Sequence, residues 1–311
     1  MKKWIIGILV VAGLAIGSIY IFIPSTIVVS EVRHIQTFRT AVAKLLTNEE
    51  KMNDCFKTVA IKNDSSFTYS GFNFTISQII FNGNVIGISS GDLNVQSNLI
   101  PLERGRDSSS LYWVADIKAS TNPFTRIKQY RVATKLKESM GALMDAMKTY
   151  LEHPSNMYGL EIKEIQLKDS VLISTRTAIN TEPTITDVYQ QVKKLQDYAA
   201  ANNATATNSP MLHVQRKDSL HYEFMVGLPV SKRIPETNDI RIKAMPYNGN
   251  MLITDIKGGP GIIKNGLRLM DIYREDSKRT SPAIPFELMI TNRASEPDTS
   301  KWLTRLYYPV M

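Results

Sequence analysis

Cysteine is nearly missing from this sequence. Cys55 stands alone among 311 residues, so no internal disulfide can form. Histidine is scarce as well. His34, His153, His213 and His221 are scattered along the chain, and none has a neighbour at metal-ligand spacing. No metal and no cofactor is therefore expected. There is also no concentrated block of positive charge, although the chain as a whole carries a formal +8 and a pI of about 9.3. Residues 24–157 hold 15 basic and 12 acidic side chains, and residues 158–311 hold 20 and 17. A nucleic-acid-binding module gathers its lysines and arginines on one element to neutralise phosphates. With the charge spread this thinly, and no helix-turn-helix, zinc-finger or base-stacking motif, the expectation is that nucleic acid is not a partner.

Long apolar runs are absent with one exception. Lys2 and Lys3 precede Trp4–Ile23, which is 20 residues without a charge. At about 1.5 Å per residue such a helix spans about 30 Å, the thickness of a bilayer's hydrocarbon core. Pro24 and Ser25 then break it. A cleaved secretory signal has a shorter apolar region, about 7–15 residues, followed by an A-x-A-like site, and none follows Ile23. The reading is a single-pass anchor over residues 1–25 that contacts the membrane through residues 4–23. Lys2 and Lys3 favour the cytoplasmic side for the N-terminus, which puts the remainder on the periplasmic side in a bacterium.

At 35.0 kDa the chain is too long for one ordinary domain and comfortable for two. Between residues 26 and 155, Thr26–Ile35 reads as a strand, and Thr37–Leu46 as a short amphipathic helix. Strand-like runs follow at Phe72–Phe81, Val85–Ile88, Leu93–Ile100 and Leu111–Ile117, with Asn82-Gly83 as a hairpin signal. Arg131–Leu151 then keeps an apolar stripe at a 3.6-residue period and predicts a long amphipathic helix. This layout resembles the helix-grip fold of the START-like (SRPBCC, polyketide-cyclase-like) superfamily, in which a curved sheet wraps the last helix around an apolar cavity. That resemblance implies a module handling lipid or another apolar ligand. Gly87-Ile88-Ser89-Ser90-Gly91 matches G-x-S-x-G, but an alternating strand follows where a nucleophile elbow needs a helix, so it reads as a turn.

His153–Gly159, rich in turn residues, marks a boundary. From 158 to 311 the chain repeats itself. A strand at Val171–Ile179, a helix at Ile185–Ala201 and strands at Pro210–Gln215 and His221–Val230 form the first half. Met251–Lys257, Gly261–Tyr273, Pro285–Thr291 and Leu303–Val310 form the second. The halves end alike, in Gly227-Leu228-Pro229-Val230 and Tyr307-Tyr308-Pro309-Val310. Two β-α-β-β units predict a pseudo-twofold domain with a groove between its halves, and an α+β class for the whole chain. Lys257-Gly258-Gly259-Pro260-Gly261 lacks the spacing and the Lys-Ser/Thr of a P-loop and reads as a turn that admits positive φ.

The stretches PMLHVQR (210–216), HYEFMVGLPV (221–230), MLITDIKGG (251–259), PFELMIT (285–291) and EPDTSKWLTRLYYPV (296–310) are similar to the GyrI-like (gyrase-inhibitor-like) effector-binding family. The resemblance implies a small-molecule-binding domain over 158–311 that favours bulky, apolar, often cationic ligands. It carries the family's strand glutamate to Glu287. Alternation supports a special role, since Phe286, Leu288 and Ile290 share one face while Glu287 and Met289 share the other. The corresponding position in the first half is Leu212. A carboxylate in such a groove needs a counter-charge, and a ligand cation can supply it. Tyr189, Tyr222, Phe224, Tyr273, Trp302 and Tyr307 are the candidate walls, and Arg305 is the candidate partner if the acid is merely ion-paired. The leading expectation is a membrane-anchored, non-catalytic receptor. The alternative is a hydrolase with Glu287 as general base and Tyr222 or Tyr307 orienting water, as the family resemblance also allows.

Overall fold

The computed structural model describes residues 2–57, 61–63, 66–81, 83–167, 171–245 and 249–311. The chain divides into two units, Met1–Met157 and Tyr158–Met311. The architecture is α+β, with an apolar N-terminal helix, an antiparallel-sheet unit and a duplicated β-α-β-β unit, as the sequence predicts.

In the first unit, helix α1 (Lys2–Phe22) leads into β1 (Thr26–Ile35), α2 (Arg39–Thr47) and α3 (Glu49–Phe56). Strands β2 (Ile61–Asn63), β3 (Ser66–Tyr69), β4 (Phe72–Ile80), β5 (Gly83–Ser90), β6 (Leu93–Gly105) and β7 (Ser108–Lys118) follow, then α4 (Pro123–Leu151) and α5 (Pro154–Tyr158). The sheet runs β1-β7-β6-β5-β4-β3-β2, antiparallel throughout. A second short helix follows the expected one after β1, because the Asn48 backbone amide donates to the Leu45 carbonyl at the end of α2 while its side chain caps α3 by accepting from the Lys51 amide. Helix α4 starts earlier than its apolar stripe. Asn122 accepts from the amides of Phe124 and Thr125, and Pro123 occupies the first turn, where its missing N–H costs nothing. Leu136, Met140, Leu143, Met144 and Met147 of α4 are buried, as are Phe74 and Trp113 of the sheet. The Trp113 indole donates to Ser97, whose hydroxyl donates to the Ile86 carbonyl, so the buried polar atoms there are satisfied.

Asn82 of the expected hairpin lies outside the described residues. Its neighbour Gly83 sits at φ +150°, and a Cβ there would meet the Leu99 carbonyl oxygen at 2.1 Å. The G-x-S-x-G segment is the end of β5 and a turn into β6, with Gly91 at φ +54°. No helix follows it.

The second unit contains β8 (Lys163–Gln166), β9 (Val171–Ile179), α6 (Ile185–Ala201), β10 (Met211–Arg216), β11 (Tyr222–Pro229), β12 (Arg241–Ala244), β13 (Asn250–Lys257), α7 (Pro260–Asp276), β14 (Phe286–Met289) and β15 (Leu303–Pro309). The sheet order is β12-β9-β11-β10-β14-β15-β13-β8. Read from either end, this order is the same pattern of two β-α-β-β units, joined where β10 pairs with β14. The registers fix the correspondence. Met211 faces Gly227 in the first half, and Phe286 faces Tyr307 in the second. Leu212 therefore corresponds to Glu287, and these two residues also face each other across the junction. The pseudo-twofold axis passes between them. Gly258, at φ +142°, makes the turn before α7.

Candidate ligand-binding site

Sheet parity decides what Glu287 faces. Leu212, Phe224, Val226 and Met289 pack in one cluster with Val188, Val192 and Leu195 of α6. On the other half, a Cβ on Gly266 of α7 would touch Ile256 and Leu306. The helices thus cover the face that bears Leu212, Met289 and Leu306, and Glu287 projects between Leu212 and Leu306 on that same face. The acid is held at the pseudo-dyad on the helix-covered side, with its side chain 14% exposed.

Its counter-charge comes from the chain itself. Ile290–Trp302, the long connection between β14 and β15, folds back and carries Arg293 into the site. Arg293 Nη2 donates to Glu287 Oε2 at 2.8 Å and to Thr304 Oγ1 at 2.8 Å. The guanidinium lies over the Trp302 ring, 5.1 Å from its centroid. The Arg293 amide donates to the Tyr189 hydroxyl at 2.7 Å, which ties this loop to α6. Trp302 is fixed in turn by its indole, which donates to the Glu296 carbonyl at 2.8 Å. Burial raises the Glu287 carboxyl above the usual carboxylate range, although Arg293 pulls it the other way. Arg293 is itself only 4% exposed, and its Nε has no partner among the described residues. A buried guanidinium whose Nε is unspent is held less firmly than its two good hydrogen bonds imply.

Of the residues singled out from the sequence, Glu287, Tyr189 and Trp302 meet here. Phe224 shares the face, buried in the α6 cluster. Three others do not meet Glu287, which corrects the expected aromatic wall. Tyr307 faces the opposite side of the sheet and stacks on Phe286, centroids 4.9 Å apart at 7°. Tyr222 pairs with Arg216, four residues along β10 from Leu212, or about 13 Å at strand rise. Its ring lies beneath the Arg216 guanidinium. Tyr273 lies seven residues past Gly266 on α7, about 10 Å along the axis, and meets Tyr158 edge-on. The pairing of Glu287 with Tyr222 or Tyr307 that general-base hydrolysis requires is consequently not assembled. Arg305 is a further correction. It lies opposite Leu288, hence on the other face, and is paired with Asp255 at 2.6 and 2.8 Å. Sequence reasoning missed Arg293 because a loop residue has no pleat to place it.

No family model and no curated protein sequence matches the chain. Solved structures give likenesses of fold at low identity. EcmrR in complex with DNA is 16% identical over 61% of this chain and 72% of that one, with a TM-score of 0.44. The isolated C-terminal domain of EcmrR is 16% identical over 49% of this chain and 98% of its own, with a TM-score of 0.40. SAV2435 bound to tetraphenylphosphonium is 12% identical over 49% and 94%, with a TM-score of 0.36. A START superfamily protein from Mycobacterium smegmatis is 14% identical over 40% and 97%, with a TM-score of 0.29. The DNA-bound EcmrR corrects the expectation that nucleic acid plays no part.

Proposed function

We propose that this chain is a membrane-anchored, non-catalytic receptor whose second unit takes a hydrophobic cation at Glu287. The observation that carries this reading is the Glu287–Arg293–Trp302 arrangement. It already holds a planar cation against a buried carboxylate and an aromatic face, the two features that recognise an apolar cation. Arg293 then stands in for the ligand. An incoming cation exchanges with it on Glu287, and the loop that bears Arg293 swings out. The sequence resemblance to the GyrI-like family points to the same ligand class.

The anchor is α1. Its apolar stretch Trp4–Phe22 has a mean hydropathy of 2.6 and is wholly unburied. Its exit is gripped by the domain that follows. Arg126 of α4 donates through Nε and Nη2 to the Ile23 carbonyl at 2.9 and 2.6 Å and lies over the Tyr20 ring. The Tyr20 hydroxyl donates to the Thr121 carbonyl. The Arg126 contacts satisfy a carbonyl at the C-terminal end of the helix. Lys2 and Lys3 favour a periplasmic location for both units.

The test uses the full chain in phospholipid nanodiscs, titrated with tetraphenylphosphonium against empty nanodiscs. Saturable binding is expected, with loss of at least about tenfold in affinity on Glu287→Gln, the size of one desolvated charge pair. Equal affinity in both proteins overturns the site.

A further inference from the structure

The opposite face of the second sheet carries a separate cavity. It measures about 210 Å³ and is lined by Met211, Met225, Met245, Met251 and Phe286. Part of its space exists because position 227 is glycine, where a Cβ would lie 3.1 Å from Leu172 Cδ1. Four flexible thioethers make a wall that adapts to an apolar guest. The volume falls below the roughly 300–1,000 Å³ of sites for drug-sized ligands. A slender guest fits, and a bulky polycyclic one does not.

The charge at the rim is positive and poorly spent. Lys243 lines the cavity, and its Nζ lies 3.1 Å from Met225 Sδ. A thioether is a weak acceptor. Among the described residues no carboxylate lies within ion-pair distance of this ammonium. The nearest acid on this face, Glu223, is taken by Arg176 at 2.7 Å and Lys217 at 3.5 Å. The other polar side chain of the lining is His213, whose Nδ1–H donates to the Pro285 carbonyl at 2.8 Å. Burial holds its pKa below the usual histidine value, and so favours the neutral ring. Lys243 is left as the charge that a ligand meets, and burial lowers its pKa too, as it does for an ammonium short of partners.

We propose that this cavity binds an unbranched monocarboxylate of medium chain length, with the carboxylate on Lys243 and the chain among the methionines. The site is independent of the Glu287 reading, because it lies on the other face and selects the opposite charge.

The experiment compares decanoate, decanol and decyltrimethylammonium by calorimetry on the full chain in nanodiscs, each corrected for empty nanodiscs. Decanoate is expected to bind at least about tenfold more tightly than either other probe, the worth of a charge-assisted hydrogen bond. Lys243→Gln should bring decanoate down to the level of decanol. Ala283→Trp, at an exposed lining position, should abolish decanoate binding by filling the cavity. No decanoate binding above empty nanodiscs, decanoate equal to decanol, or full affinity in Lys243→Gln each overturns the proposal.

Discussion

At the scale of single residues, the second unit turns on one buried ion pair. Removing one partner of such a pair costs about 3–5 kcal/mol, since the other charge is stranded, whereas replacing both can be neutral. Glu287→Gln should therefore lower the unfolding free energy by about 3 kcal/mol or more. The double variant Glu287→Gln/Arg293→Met should recover most of that loss, as a denaturant-unfolding cycle would measure. Additive losses would mean that the two side chains do not depend on each other. The acid itself was legible in the sequence, because strand alternation put Glu287 opposite in sense to Phe286 and Leu288 and matched it to Leu212. Its partner was not. Arg305 was the expected partner, yet its parity sends it to the other face, where it meets Asp255. Arg293 reaches the acid only through the course of a loop, which periodicity does not encode.

At the scale of elements, long amphipathic segments were legible and short edge strands were not. Helices α4 and α6 announce themselves by apolar spacing over several turns. Strands β8 and β12 escape notice because Lys163–Gln166 and Arg241–Ala244 are short and polar, as suits the outer edges of a sheet. The close approach of α7 to its sheet was equally hidden, since it depends on what Gly266 lacks. A Cβ there would come within 2.5 Å of Ile256 Cδ1 and 2.9 Å of Leu306 Cδ1. In an exposed helix, Gly→Ala gains about 1 kcal/mol. Here overpacking costs about 1–3 kcal/mol, and both neighbouring side chains are buried. The crowding should win. Gly266→Ala is expected to destabilise the protein by about 1 kcal/mol in urea unfolding, and a gain in stability would refute the tight packing of α7. Leu306 also flanks Glu287, so the same variant should weaken the site.

At the scale of the whole molecule, duplication explains why one acid is special. A sheet built from two copies of one unit has a single place where a residue meets its own counterpart, and here that place holds Leu212 and Glu287. The two halves differ at the pseudo-dyad, apolar in one and charged in the other, while the registers on either side match. The two faces of the sheet then differ in kind. The helix-covered face holds a carboxylate that calls for a cation, and the opposite face holds an ammonium beside methionines. The repeat and the apolar N-terminal run were readable from the chain alone, since both are patterns of composition and spacing. Which face each side chain meets required the registers.

The central claim is that Arg293 occupies the place of a cationic ligand, and its removal is the most direct test. Tetraphenylphosphonium affinity of the full chain in nanodiscs should rise at least about tenfold in Arg293→Met, because the built-in competitor is gone and Glu287 is left unpaired. In the double variant Glu287→Gln/Arg293→Met it should fall back to or below the starting level. Unchanged or weaker binding by a folded Arg293→Met protein would contradict the claim and leave the ion pair as a purely structural clasp.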